Sequence, residues 1–120
     1  MDGLVMVFTT LASGLGGWCR FAIGHVFPCQ PGSFPWATFA INTTGSMAAA
    51  LALGFVGPGG EFLYQVVLFG FLGGYTTVST FSLETLVLLQ NNRVSLALAN
   101  VSGSAMACLG AAWLGLALAS

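Results

Sequence analysis

One short run of the sequence, GFLGGYTTVSTFSLE from Gly70 to Glu84, carries three glycines and six hydroxyl residues inside a strongly apolar chain. Glycine weakens a helix, and Ser and Thr hydroxyls can bond to backbone groups that a broken helix leaves free. Carbonyls exposed near Gly73 and Thr76 could coordinate a small cation, while half-helix N-termini and hydroxyls could face an anion. The run therefore predicts a helix break that lines an ion path, with a kink that only improves helix contacts as the alternative.

Two further groups of polar residues could line the same path. Thr38 and Asn42 are one helical turn apart, and the Asn42 carboxamide can either donate two N–H groups to an anion or join two helices. Another polar stripe recurs every four residues and lies on one helix face, as a contact surface or a pore wall. Its members are Asn100, Ser104 and Cys108.

Two charged residues fall within apolar segments and need an explanation there. Arg20 must either pair with acceptors inside the protein or extend its side chain to the membrane interface. Glu84 lies roughly 12 Å from the centre of its segment, at 1.5 Å per residue. Its carboxylate is predicted to be a polar lining residue at a pore mouth or an interfacial anchor.

The elements that position these residues follow from composition. The chain is 57% hydrophobic and 4% charged, with a mean hydropathy of +0.93, which is typical of a membrane protein. Each helical span needs roughly 20 apolar residues. Four spans, at about 4–27, 36–56, 62–90 and 94–118, nearly exhaust the 120 residues. We therefore predict an all-α membrane protein with one domain, 1–120, and a break in its third helix.

Short turns separate these spans. Three of the four prolines occur in FPCQPGSFPW, and Pro35 is predicted to precede the start of the second span. The run Gly57–Gly60 closes that span, and QNNR, Gln90–Arg93, forms the next turn. No Lys or Arg precedes the first span, so we expect it to be retained rather than cleaved as a signal peptide.

The basic residues give little information on topology. Only Arg20 and Arg93 are present, and four spans place both near the same membrane face. Such a chain can insert in both orientations and form an antiparallel dimer, or adopt one orientation with Arg93 in the cytoplasm. The small-residue pairs Ser13/Gly17 and Gly70/Gly74 permit close helix contacts, between subunits or within one.

Other functional classes lack the necessary residues. There is no Ser/His/Asp constellation, no pair of catalytic carboxylates and no phosphate-binding loop, so we predict that the protein is not an enzyme. Cys19, Cys29 and Cys108 form neither a disulfide framework nor a thiolate metal site. Two arginines cannot form a nucleic-acid surface, and His25 is interpreted as an interfacial imidazole.

Taken together, these motifs resemble the Fluc/CrcB fluoride channel family over nearly the whole chain. The resemblance rests on GLGGWCRF in the first span, PWATFAINTTGS at the start of the second, and GFLGGYTTVSTFSLE in the third. It implies an antiparallel, dual-topology dimer in the inner (plasma) membrane, with two fluoride paths and a structural sodium ion at the dimer centre. A heterodimer with a second chain is the alternative assembly.

The resemblance also implies roles for individual residues. Backbone carbonyls of Gly73 and Thr76 would hold the sodium ion, and Arg20 would be structural. The residues implied to line the fluoride path are Asn42, Ser79, Thr80, Phe81, Glu84, Asn100, Ser104 and Cys108. An aromatic edge is electropositive, and hydroxyl and amide donors can replace hydration water, so this inventory suits an anion.

Two positions depart from the family pattern. Val78 stands where the family usually has the first of two phenylalanines, and it offers no polarised ring edge. Cys108 replaces a hydroxyl residue with a weaker donor.

Passive, selective fluoride export is the leading hypothesis from these observations. A proton-coupled four-helix exporter that uses Glu84 is the second, and a non-transporting membrane subunit is the third.

Overall fold

The computed structural model describes residues 2–56 and 59–120, and all regular secondary structure within them is helical, with no strand. Gly57 and Pro58 of the predicted second turn lie outside the described residues. The helices are α1 Gly3–Val26, α2 Trp36–Phe55, α3 Glu61–Tyr64, a π-helix Gln65–Leu72, α4 Gly73–Tyr75, α5 Ser79–Gln90 and α6 Val94–Ala119.

Three of the described helical segments are long and apolar enough to cross a membrane. They are Gly3–Val26, Glu61–Gln90 and Val94–Ala119. Helix α2 also has 20 residues, with the polar residues Asn42, Thr43 and Thr44 near its centre, and is not among these three. We call the segment Glu61–Gln90 the broken helix, since it contains α3, the π-helix, α4 and α5.

Local sequence explains where several helices begin and end. The Asp2 carboxylate accepts a hydrogen bond of 2.9 Å from the Val5 N–H and caps α1. Helix α2 starts at Trp36, directly after Pro35. The turn before α6 contains Asn92, whose φ of 59° lies in the left-handed region that Asn tolerates.

Glycines allow the helices of one chain to approach closely. Helix α1 packs mainly against the π-helix and α4, whereas α2 packs mainly against α6. A Cβ atom on Gly74 would meet the Ser13 carbonyl and hydroxyl, and one on Gly70 would lie 2.9 Å from the Thr9 carbonyl. The predicted Gly70/Gly74 pair therefore serves contacts within one subunit.

The outer surface of the bundle is apolar. Phe21, Leu109 and Trp113 are 69%, 72% and 78% exposed, respectively. Large apolar side chains this exposed are unfavourable in water, and they face lipid in a membrane protein.

Candidate ion path

The broken helix is interrupted at Thr76–Val78, between the end of α4 at Tyr75 and the start of α5 at Ser79. Thr76 has an extended backbone, with φ −81° and ψ 157°. This break lies at the position that the Gly and Thr residues of the sequence predict. The preceding π-helix was not predicted.

The carboxamide of Asn42 holds the interrupted backbone to α2. Its Nδ2 donates to the Thr77 carbonyl at 2.8 Å, and its Oδ1 accepts from the Thr77 N–H at 2.9 Å. The backbone N–H and carbonyl of Thr77 are thereby both hydrogen-bonded, although this residue lies outside any helix. Only one N–H of the Asn42 carboxamide remains for another acceptor, not the two that the sequence suggests.

The break also frees two carbonyls. In a continuous helix, the N–H groups of Thr77 and Thr80 would bond to the carbonyls of Gly73 and Thr76. Here the Thr77 N–H bonds to Asn42, and the Thr80 N–H donates to the Thr77 hydroxyl at 3.1 Å. Both carbonyls therefore lose their helical donors.

A groove of about 750 Å³ runs beside the break, between α2, the broken helix and α6. It contains four of the eight predicted path residues, together with both residues of the predicted cation site. They are Asn42, Phe81, Ser104 and Cys108, with Gly73 and Thr76. Val78 also lines the groove and is 76% exposed.

Asn100 lies behind this groove rather than on its wall. It is 1% exposed, and its Nδ2 donates to the Thr85 hydroxyl at 2.9 Å. Its Oδ1 accepts from the Ser104 hydroxyl at 3.3 Å. The predicted polar stripe is thus divided, because Asn100 joins α5 to α6 while Ser104 and Cys108 line the groove.

A second cavity of about 330 Å³ also borders the break. Its lining includes Arg20, Thr38, Thr77, Thr80 and Glu84. Arg20 pairs inside the protein, because its Nε donates to the Gly74 carbonyl at 3.2 Å. The alternative in which this side chain only extends to the interface is therefore not needed.

Two more predicted path residues, Glu84 and Ser79, also lie outside the groove. The Oε1 atom of Glu84 is buried without a hydrogen-bonding partner in the described part of the chain. Ser79 is exposed and is not among the residues that line either cavity, but its hydroxyl lies 3.2 Å from that of Thr77.

Sequence reasoning missed two residues that organise this site. Thr77 is 7% exposed and lines both the groove and the cavity. Its place three residues before Thr80, at the start of α5, is the spacing of a capping hydroxyl and could have indicated this role. Thr85 supplies the acceptor for Asn100 and carries no comparable signal in the sequence.

The fold and the site define a multi-pass helical membrane protein with polar groups gathered at a broken helix. Residues 7–116 match the family described as CrcB-like protein, Camphor Resistance (CrcB). The chain belongs to this family, as the resemblance in its motifs predicts.

Several relatives align with most of this chain. It is 38% identical over 124 residues to the fluoride-specific ion channel FluC 1 of Bradyrhizobium diazoefficiens, an alignment that covers 99% of this chain and 87% of the relative. It is 38% identical over 116 residues to the fluoride-specific ion channel FluC of Novosphingobium aromaticivorans, covering 92% of each. The chain is also 39% identical over 117 residues to the fluoride-specific ion channel FluC 3 of Streptomyces avermitilis, covering 95% of this chain but 57% of the relative. These relatives are named as channels and not as enzymes.

Proposed function

We propose that this protein is a fluoride-selective channel that exports fluoride passively across the inner (plasma) membrane. The observation that carries the proposal is the helix break, because it places Asn42, Phe81, Ser104 and Cys108 on one groove. Amide and hydroxyl donors can replace the hydration shell of an anion, and the Phe81 ring offers an electropositive edge. The relatives named as fluoride-specific ion channels support fluoride as the ion.

The second cavity supplies a positive charge next to the break. The Arg20 guanidinium has further N–H donors besides the one bonded to Gly74. A fixed positive charge attracts anions and repels cations, and here it acts beside the Glu84 carboxylate in the same cavity. We propose that fluoride passes this cavity and then the groove, with Thr80 and Glu84 on the first part of the route and Ser79 near the break. In this route Asn100 acts on the ion through Ser104.

The groove also supports the proposed assembly. It is open on one side of the chain, and a second copy with the opposite orientation would close it. In this dimer α2 would be the fourth membrane span beside the three apolar segments. A heterodimer, in which a second chain covers Val78, is the alternative assembly that reconstitution of the single chain tests.

Gly73 and Thr76 fit a structural sodium ion. Their carbonyls have lost the N–H donors that a helix would provide. Carbonyl oxygens of unwound helices are suitable ligands for sodium. Two such carbonyls from each subunit would hold the ion at the dimer centre, where it would stabilise the two breaks.

Proton-coupled export is a second candidate, which the buried and unpaired Oε1 of Glu84 favours. Coupling requires a carboxylate that gains and loses a proton during each transport cycle. A passive channel requires no such step, so the two candidates differ in their response to a proton gradient and to Glu84→Gln.

The deciding experiment is fluoride efflux from liposomes that contain only this purified chain, with an electrical shunt and with chloride-loaded liposomes as the selectivity control. We expect fluoride loss, chloride retention and no dependence on an imposed proton gradient. A flux that follows the proton gradient and disappears in Glu84→Gln would establish the coupled exporter instead. A folded dimer that passes no fluoride would contradict the homodimeric channel and support a heterodimer or a non-transporting subunit.

A further inference from the structure

The hydroxyl of Thr77 is the centre of a small hydrogen-bond network at the start of α5. It accepts from the Thr80 N–H at 3.1 Å and donates to the Thr80 Oγ1 at 3.1 Å. Since a hydroxyl has one proton, its contact with the Ser79 hydroxyl at 3.2 Å must be one in which Ser79 donates. Thr77 Oγ1 therefore accepts from the Thr80 N–H and from the Ser79 hydroxyl, and donates to the Thr80 hydroxyl.

The Thr80 hydroxyl differs from a group of other hydroxyls in the described part of the chain. Six others donate to the carbonyl four residues earlier in their helix. They are Thr10, Thr44, Ser46, Thr76, Thr85 and Ser102. For Thr80 the corresponding carbonyl is that of Thr76, which lies across the extended break. Within the described part of the chain the Thr80 hydroxyl donates no hydrogen bond, so the break leaves this donor free.

The location of Thr80 indicates what its free proton can bind. Its side chain lines the 330 Å³ cavity together with Arg20 and Glu84. Because the Thr80 oxygen already accepts from Thr77, its own O–H is directed away from that residue. An anion held near the Arg20 guanidinium would be a suitable acceptor for it.

We infer that Thr77 is a positioning residue for the ion path: its hydroxyl orients Thr80 so that the Thr80 O–H donates to fluoride in this cavity. The inference rests on the proposed function and adds to it a residue that would act through another side chain. Thr77→Ser keeps the hydroxyl, whereas Thr77→Val keeps a β-branched shape and removes it. Thr80→Val removes the donor on which Thr77 would act.

A double-mutant cycle tests this inference. Fluoride binding to the purified dimer in detergent is measured by ¹⁹F NMR titration for wild type, Thr77→Val, Thr80→Val and the double variant, with Thr77→Ser as the matched control. We expect Thr77→Val to weaken binding about tenfold, as for loss of a hydrogen bond to a charged group. In the Thr80→Val background, the same change should have less than about a twofold effect, since the affected donor is already absent. Thr77→Ser should bind like wild type.

A purely structural role gives a different pattern. If Thr77 only caps α5, the Thr80 N–H still needs it in Thr80→Val, and Thr77→Val would weaken binding equally in both backgrounds. That result, unchanged binding in Thr77→Val, or no fluoride binding by wild type would overturn the inference. Wild-type flux in liposomes is measured separately, so binding without flux would count against the channel and not against the role of Thr77.

Discussion

Asn42 and Thr77, 35 positions apart in the chain, exchange two hydrogen bonds between a side-chain carboxamide and a backbone peptide, of 2.8 and 2.9 Å. The pair ties α2 to the interrupted backbone, and it takes the N–H that would otherwise bond to the Gly73 carbonyl. One side chain thereby stabilises the break and frees a carbonyl at the same time.

Replacing the Asn42 carboxamide should impair both stability and conduction. Asn42→Ala removes two hydrogen bonds of about 1 kcal/mol each and leaves the polar groups of the Thr77 peptide unpaired inside the membrane. We expect a lower unfolding temperature and a fluoride flux reduced by at least about tenfold, the size of effect that 1.4 kcal/mol produces. Liposome efflux and thermal unfolding in detergent measure the two effects.

The matched control for this substitution is Asn91→Ala. Asn91 is exposed in the turn before α6, and its side chain donates only to the Val87 carbonyl. This variant should retain wild-type flux. If Asn42→Ala conducted as well as Asn91→Ala, Asn42 would not belong to the ion path.

Adding one methyl group at Gly74 should destabilise the fold. A Cβ atom there would overlap the Ser13 backbone, so α1 and α4 would have to separate. Overpacking of this kind costs typically 1–3 kcal/mol. At Gly110 a Cβ has nothing within 4 Å, and Gly110→Ala should be neutral or stabilising by up to about 1 kcal/mol. Equal unfolding temperatures for the two alanine variants would show that the α1 contact is looser than described.

Cys108 should make the channel sensitive to small thiol-binding cations. It lines the groove, whereas Cys19 is not among the residues that line the groove or the cavity. In a chain with Cys19→Ser and Cys29→Ser, Hg²⁺ should block fluoride flux through Cys108. A chain that retains only Cys19 should be insensitive. Block in the Cys19 chain and none in the Cys108 chain would remove Cys108 from the path.

Cys29 is replaced in both of these chains because it lines the second cavity. Partial burial and the nearby Glu84 carboxylate raise the pKa of the Cys29 thiol. It therefore remains protonated at neutral pH and should react more slowly than an ordinary exposed thiol. Labelling of a Cys29-only chain should accelerate as the pH rises above 9, when the thiolate forms.

Removing sodium should destabilise the dimer if Gly73 and Thr76 hold this ion. A ligand that binds only the folded state stabilises it by mass action. Exchange of sodium for N-methylglucamine at constant ionic strength should lower the unfolding temperature and the dimer fraction, and sodium should restore both with a saturable dependence. Identical unfolding curves across the exchange would contradict the proposed cation site.

The sequence allows the helical membrane class and the helix break to be predicted, because these depend on composition and on local residue types. Glycine and hydroxyl residues at Gly73–Thr80 weaken a helix wherever they occur. The π-helix at Gln65–Leu72 has no such signal. Its first residues, QVVLF, also suit an α-helix, and nothing in the sequence distinguishes the two backbone forms.

The division of the polar stripe follows from helix geometry but could not be assigned without the fold. A step of four residues advances about 40° beyond a full turn at 3.6 residues per turn. Asn100 and Cys108, two steps apart, therefore point about 80° from each other. Spacing alone does not show which of them faces α5 and which faces the groove. Likewise, the spacing of Thr77 and Thr80 suits a capping hydroxyl, but which groups Thr77 bonds to depends on where the helix breaks.

The hydrogen bond between Arg20 and Gly74 also affects how the chain is inserted. This bond engages the Arg20 guanidinium within the helix bundle. Arg93, the only other basic residue of the sequence, is therefore the only one in a loop. Insertion machinery reads the number of basic residues in short loops, and a difference of one is easily reversed. A single Lys gained between α2 and α3 would cancel it. Basic residues added to opposite loops in two duplicated copies of such a gene would give the copies opposite fixed orientations, which is a short evolutionary route from identical subunits to an obligate pair.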